Sequence, residues 1–169
     1  TTYEGKLTEI TQDGWGRKLS LKDPSAGTYS YQYYGFGEVK KETTPKGFTD
    51  YTYTPTGKLL TKWVKVTTGA TNTNTDIKST YEYFDVPTAN NFGLLKKITV
   101  LNPNDGHSTY NYLYDDWKRL YNTVEEFTGI LPRTFTKTLS FDDFGRVLSE
   151  TNYALAHGKS STRTHYNQY

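Results

Sequence analysis

The stretch that decides the fold is FDDFGRV at residues 141–147, because variants of it return along the chain in a fixed form. The form is an aromatic residue, any residue, a second aromatic residue, an acid or its substitute, two further residues, glycine, a basic residue and an aliphatic residue. Full copies stand at residues 31–39 (YQYYGFGEV), 51–59 (YTYTPTGKL), 112–120 (YLYDDWKRL) and 139–147 (LSFDDFGRV). A further copy opens with YEY at 81–83 and, after an insertion, ends with GLL at 93–95.

The glycine slots of these copies fall at positions 37, 57, 93, 118 and 145, with a mean spacing of 27 residues. A period of this length is typical of structural repeats. A headless copy at Gly5-Lys6-Leu7 and the start of a tail copy at Tyr166-Asn167 extend the array. The sequence therefore predicts a single repeat segment over residues 1–169, with five to six repeats and a cut at both ends.

Each copy predicts a β-hairpin. Side chains alternate between the two faces of a strand, so the Tyr-x-Tyr pair places two rings on one face. The acid can bond its own backbone and glycine adopts positive φ at little cost, which together favour a tight turn. Between copies, turns such as residues 44–47 (TPKG) combine an early proline with a late glycine, as β-turns do. The fold is therefore predicted to be an all-β antiparallel meander of about a dozen strands, which is expected to curve or close.

The residues that carry this repeat signature are the paired aromatic residues, the turn acids and the turn glycines. They are Tyr31, Tyr33, Gly37, Tyr51, Tyr53, Gly57, Tyr81, Tyr83, Gly93, Tyr112, Tyr114, Asp115, Phe141, Asp142 and Gly145. We predict a structural role for all of them.

Composition excludes several classes of function. Hydrophobic residues make up 34% and aromatic residues 16% of the chain, and 16 Tyr with 29 Thr favour a polar β-protein over a disordered one. The chain has no Cys, which excludes a disulfide framework, a thiolate metal site and a cysteine nucleophile. The net charge is only +2 without a basic block, which argues against nucleic-acid binding. No apolar run is long enough to span a membrane.

The repeated pattern resembles the YD repeat of Rhs (rearrangement hotspot) proteins, which also occurs in bacterial insecticidal toxin complexes, wall-associated proteins and teneurins. The best matches are Tyr114-Asp115 with Arg119-Leu120, and Phe141-Asp142 with Gly145-Arg146-Val147. The usual aspartate is replaced by Tyr34, Thr54 and Phe84, and the usual glycine by Lys118. The resemblance implies a long β-sheet that spirals into a hollow shell around a toxic C-terminal domain. It also implies a secreted or cell-surface location, and partners that are the remaining repeats of a larger chain.

Candidate catalytic groups are few, and each has a structural explanation. Paired acids occur at residues 115–116, 125–126 and 142–143. Neighbours in a strand point to opposite faces, and two of the pairs occupy the repeat turn. The three imidazoles, which lack any metal-binding spacing, are His107, His157 and His165. With no GxSxG motif and no phosphate-binding loop, we predict no enzyme, no metal and no cofactor.

The alternative function is binding of carbohydrate or of a cell surface. Trp15, Trp63 and Trp117 offer flat rings for sugars, with nearby Asp, Asn and Arg as hydrogen-bonding groups. The resemblance favours the same idea, because carbohydrate binding has been suggested for YD repeats. Cross-strand pairing of the aromatic residues explains their abundance as well. The polar runs 67–75, 86–92 and 154–164 are predicted to be decorations between strands, where partner contacts would lie.

Overall fold

The computed structural model describes residues 2–3, 6–66, 76–103 and 106–168. These described residues form fifteen β-strands and no helix. The strands are β1 (Thr2–Tyr3), β2 (Lys6–Leu7), β3 (Glu9–Gln12), β4 (Lys18–Asp23), β5 (Gly27–Tyr33), β6 (Val39–Thr44), β7 (Gly47–Tyr53), β8 (Leu59–Val66), β9 (Ile77–Tyr83), β10 (Leu95–Asn102), β11 (Gly106–Tyr114), β12 (Leu120–Thr128), β13 (Arg133–Phe141), β14 (Val147–Ala156) and β15 (Lys159–Tyr166).

The sheet is an antiparallel meander, as predicted. The thirteen strands from β3 to β15 follow one another in the order of the sequence. The chain divides into two compact units, residues 1–78 and 79–169, and within each unit the described ladders join strands that are consecutive in the chain. β1 and β2 form a small ladder of their own. The single repeat segment over residues 1–169 stays a prediction.

Side-chain alternation gives each unit two chemically different faces. In the first unit Tyr29, Tyr31 and Tyr33 are half-buried on one face, which we call the tyrosine face, and Ser30 is exposed on the other. In the second unit the tyrosine face is the face of the half-buried Tyr110 and Tyr112. The opposite face, which we call the hydroxyl face, carries cross-strand pairs of Ser and Thr hydroxyls. These pairs are Thr11–Ser20 at 2.6 Å and Thr52–Thr61 at 2.7 Å in the first unit, and Ser140–Ser149 at 2.6 Å and Thr151–Thr164 at 3.0 Å in the second.

The tyrosine hydroxyls bond to neighbouring strands. The Tyr33 hydroxyl donates to the carbonyl of Lys18 at 2.7 Å, and the Tyr53 hydroxyl donates to the carbonyl of Val39 at 3.0 Å. Partial burial, reinforced by the Glu38 carboxylate, raises the pKa of Tyr53. The tyrosine rings therefore pack on the sheet while their hydroxyls remain hydrogen-bonded. The high tyrosine content predicts such a face, half-buried and partly exposed to solvent.

Neither unit has a buried apolar core within the described residues. No hydrophobic side chain there is buried, and Thr49 is the one buried polar residue. Globular domains normally pack two layers of secondary structure around a core. Each unit is instead a single-layer sheet whose two faces both meet solvent, and cross-strand pairs rather than a second layer hold the strands together.

The connections between repeats behave as the sequence predicts where they are described. In the turn before β5, the Asp23 carboxylate accepts hydrogen bonds from the backbone of Ser25 at 2.7 Å and of Ala26 at 2.8 Å. The insertion at 86–92 is a chain of turns. The run 154–164 was predicted to be a decoration, and this is wrong, because most of it lies in β14 and β15. Gly5, the run 67–75 and residues 104–105 lie outside the described residues.

Candidate functional site

The repeat turns have the same hydrogen bonds, and within each unit they all lie at the same end of the strands. In the turn at 142–146, the backbone N–H of Asp142 donates to the carbonyl of Arg146 and the N–H of Gly145 donates to the carbonyl of Asp142, both at 2.9 Å. The same two bonds, between 2.7 and 3.0 Å, close the turns at 13–17, 34–38, 54–58, 84–94 and 115–119. In the turn at 84–94 they involve Phe84, Gly93 and Leu94, so the insertion lies inside the turn as predicted.

Sequence reasoning missed the first of these turns. The search for repeats relied on the Tyr-x-Tyr pair, and the strand before Asp13 reads EITQ, with no aromatic residue. The turn itself, DGWGR at 13–17, has the aspartate, the glycine and the arginine of the full motif. A search for Asp, any residue, an aromatic residue, Gly and Arg finds it.

Three of the turns share an aspartate–arginine clamp. One oxygen of Asp115 accepts hydrogen bonds from the backbone N–H groups of Trp117 at 3.0 Å and Arg119 at 2.9 Å. Its other oxygen accepts from Nε of Arg119 at 2.7 Å. The same three contacts recur around Asp13 with Arg17 and around Asp142 with Arg146. The clamp fixes both the turn and the direction of the arginine side chain.

The clamp also sets the protonation of the aspartates. Desolvation of Asp115 raises its pKa, but hydrogen bonds from the backbone and side chain of Arg119 and from the backbone of Trp117 outweigh this effect. The pKa therefore lies below its ordinary value of 3.8, and the pKa values of Asp13 and Asp142 are lowered in the same way. A carboxylate held in its charged form by these contacts is a structural anion and a poor general acid.

The clamped arginines link one repeat to the next. The guanidinium of Arg119 lies 4.7 Å from the ring centroid of Trp117 in its own turn and 4.1 Å from that of Phe141 in the next repeat. Arg17 lies 4.6 Å from both Trp15 and Tyr33 in the same arrangement. Such cation–π contacts contribute about 0.5–1 kcal/mol each at exposed sites. The repeat signature therefore encodes the contact between repeats as well as the hairpin.

Lys118 confirms the register of the fourth repeat, because it occupies the glycine slot with a left-handed backbone. Its φ is 63°, one of two positive values among the described non-glycine residues. The structure thus keeps the turn and accepts strain at this residue.

We predict that Lys118→Gly raises the stability of the second unit. The left-handed conformation disfavours lysine by about 1–2 kcal/mol, and the greater freedom of glycine in the unfolded chain offsets part of this, which leaves a gain of about 0.5–1 kcal/mol. Chemical denaturation measures the effect. Lys46→Gly, at a turn residue without positive φ, is the matched control and is expected to destabilise. A loss of stability in Lys118→Gly would contradict the assigned turn.

Four exposed aromatic rings stand at the tips of the repeat turns. Trp15 is 78% and Phe36 99% exposed in the first unit, and Trp117 is 76% and Phe144 85% exposed in the second. Within each unit the two rings occupy consecutive hairpins, so they lie about 10 Å apart, or two strand spacings. The rings of Trp117 and Phe144, with Arg119, line a shallow depression of about 490 Å³.

Trp63 lies in a different place from the other two tryptophans. It is a residue of β8 rather than of a turn, and 37% of it is exposed. The ammonium of Lys65 lies 3.6 Å from its ring centroid and that of Lys78 lies 5.4 Å away. Its ring therefore already has cationic partners, and within the first unit Trp63 on β8 does not share the turn tip at which Trp15 stands; Trp117 belongs to the second unit.

The remaining candidate groups take structural positions. Glu125 lies opposite Tyr110 on the tyrosine face, whereas Glu126 lies opposite Thr109 and accepts its hydroxyl at 3.1 Å on the other face. His157 has a φ of 52° in the turn before β15. In the part of the chain that the structure describes, no group of three or more His, Asp or Glu residues is placed to hold a metal ion. No helix among those residues is long and apolar enough to cross a membrane.

The fold has counterparts among solved structures. Part of the TcdB2-TccC3-TEV crystal structure matches with a TM-score of 0.50 and 14% identity over 94% of this chain. Part of the Photorhabdus luminescens Tc holotoxin pore matches with a TM-score of 0.60 and 16% identity over 93% of this chain. This chain shares its fold with both. It spans only about a tenth of their length, since it covers 10% and 9% of those chains. No protein-family model and no curated protein matches the sequence.

Proposed function

We propose that this chain is a wall segment of a larger Rhs-type YD-repeat protein, in which it contributes strands to a β-shell that encloses or presents a toxin or effector domain. The observation that carries this proposal is the series of six turns closed by the same two backbone bonds in a sheet without a described core. A single-layer sheet of hairpin repeats, in which each repeat contacts the next, is suited to a wall that is extended by further repeats. The similarity to a tenth of two toxin chains supports the same reading.

The proposal assigns a scaffold role and no catalysis to this segment. Three of its aspartates, Asp13, Asp115 and Asp142, hold turns, and their lowered pKa values are suited to fixed charge rather than to proton transfer. The proposed family and the similarity to part of a Tc holotoxin support a secreted or cell-surface location. Partners are then the other repeats of the larger chain.

The size of the native polypeptide tests this proposal. An antibody raised against residues 1–169 is used to probe cells and medium of the source organism. We expect a band several times the 19.4 kDa of this chain, since the similar chains are about ten times as long. A native band near 19.4 kDa would contradict the proposal, because one short array cannot enclose a domain.

Carbohydrate or cell-surface binding is the second candidate, and the exposed rings of Trp117 and Phe144 favour it. The two accessible rings lie about 10 Å apart at the same end of the strands, with the Arg119 guanidinium beside Trp117. This arrangement is suited to successive stacking contacts with a sugar chain. The same geometry recurs at Trp15 and Phe36 in the first unit.

For this candidate we predict that Trp117→Ala abolishes saturable binding on a glycan array. Trp63→Ala is expected to reduce binding less, because Lys65 already occupies the Trp63 ring. Thermal melting of both variants separates loss of binding from loss of fold. Equal binding by both variants and the parent chain would exclude the tryptophans as sugar platforms.

A further inference from the structure

The strand β15 ends the order of the sheet and has one open edge. It pairs with β14 in eight consecutive positions without a bulge, and it has no second neighbour among the described strands. All eight of its residues are exposed. Its outer N–H and C=O groups therefore form a regular template for a further strand.

The charge on β15 has one sign. Residues 159–166 (KSSTRTHY) include Lys159 and Arg163 and no acid. Across the pair with β14, Lys159 lies opposite Ala156 and Arg163 lies opposite Asn152. The carboxylate of β14 on that face is Glu150, which lies opposite His165 and diagonal to Arg163, and it is already paired with Lys137 at 2.8 Å. The open edge is the side on which a further acid can approach these two cations.

Several lysines of the described sheet pair with an acid on the adjacent strand, although Lys18 lies opposite Gln12 and Lys62 opposite Tyr51. Lys22 lies opposite Glu9 with 3.7 Å between the charged atoms, and Lys41 lies opposite Asp50 with 3.9 Å between them. Lys137 reaches Glu150 on β14 at 2.8 Å. By analogy with these pairs, we expect a strand beyond β15 to carry carboxylates on the tyrosine face, which is the face of Arg163.

A trough on that face leaves room beside the cations. Its volume is about 490 Å³, and it is lined by the row Lys137, Asn152 and Arg163 and by the small side chains of Ala154 and Ser161 in the next row. Glu125 is the acid that lines it, and it belongs to β12, three strands away from β15. The end of the trough nearest the open edge is therefore basic.

Pairing of β15 with the β15 strand of a second copy is disfavoured. In an antiparallel pair of identical strands that is centred on residues 161–163 and whose tyrosine faces coincide, Lys159 and Arg163 of the two copies lie opposite or diagonal to each other, and like charges in those positions destabilise a sheet. An acidic strand removes this repulsion and adds the missing counter-charges.

We propose that the open edge of β15 receives an antiparallel strand with Asp or Glu at every second residue, its carboxylates on the tyrosine face beside Arg163 and Lys159. This inference rests on the proposed function for the source of that strand, which is the next strand of the larger polypeptide. The chemistry of the surface belongs to β15 itself and is measured on residues 1–169 alone.

A fluorescent decapeptide of alternating threonine and glutamate stands in for the strand, and its anisotropy reports binding. We expect saturable binding, protection of β15 amides from hydrogen exchange, and no binding of the threonine–lysine peptide. Arg163→Glu is expected to weaken binding about tenfold or more, because it places like charges together. Lys46→Glu makes the same change of net charge at an exposed turn of the first unit and is expected to leave the affinity unchanged.

A second peptide separates strand addition from simple attraction of charge. The threonine–glutamate peptide with N-methyl groups on alternate residues has the same charge but cannot form the ladder, and we expect it not to bind. Equal binding of the two acidic peptides, or no binding of either, would overturn the inference. So would dimers of the chain that the acidic peptide cannot dissociate. None of these results changes the native mass, so failure here is distinct from failure of the proposed function.

Discussion

Gly106→Ala is expected to destabilise the second unit by about 3 kcal/mol or more. This is the largest effect that we predict for the addition of one methyl group. Gly106 begins β11 with a φ of 83°, which disfavours any other residue. An added Cβ falls on the carbonyl oxygen of Thr128 and lies 2.8 Å from its carbon and 3.0 Å from the Cα of Gly129. These are backbone atoms, so β11 and β12 have to move apart. Urea denaturation measures the loss.

Gly158→Ala is the matched control for this prediction. Gly158 also has a positive φ, of 70°, but a Cβ there meets nothing within 4 Å. The Gly158→Ala variant is expected to lose only about 1–2 kcal/mol of stability, which is the cost of a left-handed backbone at alanine. If the two variants lose the same stability, the close approach of Gly106 to Thr128 does not exist in solution.

Asp115→Ala is expected to lower the melting temperature of the second unit by several degrees. The change removes three hydrogen bonds at once and leaves the N–H groups of Trp117 and Arg119 without their side-chain acceptor. It also frees the Arg119 guanidinium that lies between Trp117 and Phe141. Asp116→Ala, one residue further along the same turn and outside the clamp, is expected to have little effect.

The clamp also predicts how stability depends on pH. The pKa of Asp115 is lower in the folded chain than its ordinary value of 3.8, so its contribution is fully present above that value. The contribution is lost as the pH falls through the folded pKa, when the carboxylate becomes protonated. Asp115→Asn is therefore expected to flatten the stability profile below about pH 4. An unchanged profile would show that the clamp does not hold the charged form.

The strands and turns were predicted well from the sequence because the same local residue pattern recurs in several copies. Tyr31 and Tyr33 lie on one face as the period of two requires, and Lys118 adopts the backbone of the glycine that it replaces. The insertion before Gly93 was also assigned to the correct turn. Periodicity removed the ambiguity that a single short strand would have had.

The candidate site was predicted less completely because its geometry depends on contacts between repeats. Nothing in the local sequence shows that Arg119 lies against Phe141, in a repeat more than twenty residues away. The sequence alone does not distinguish the three tryptophans. In the structure Trp117 lies at the exposed tip of a turn, whereas Lys65 covers the ring of Trp63. The turn at Asp13 was missed because its preceding strand lacks the aromatic pair that defined the search.

Accessibility of the two faces in the native protein tests most directly whether this chain is the wall of a shell. Residues 1–169 contain no Cys, so Ser160→Cys and Ser161→Cys each add a single thiol to the segment, on the hydroxyl face and the tyrosine face respectively. Both serines are exposed on the same strand, and both thiols should react with a bulky polyethylene-glycol maleimide in the isolated chain.

In the intact native polypeptide we expect one of the two thiols to react with the bulky reagent and the other to be protected, with both reactive after denaturation. Protection confined to one face is what a closed wall produces. Equal and rapid labelling of both thiols in the intact protein would show that neither face is enclosed, and it would contradict the shell.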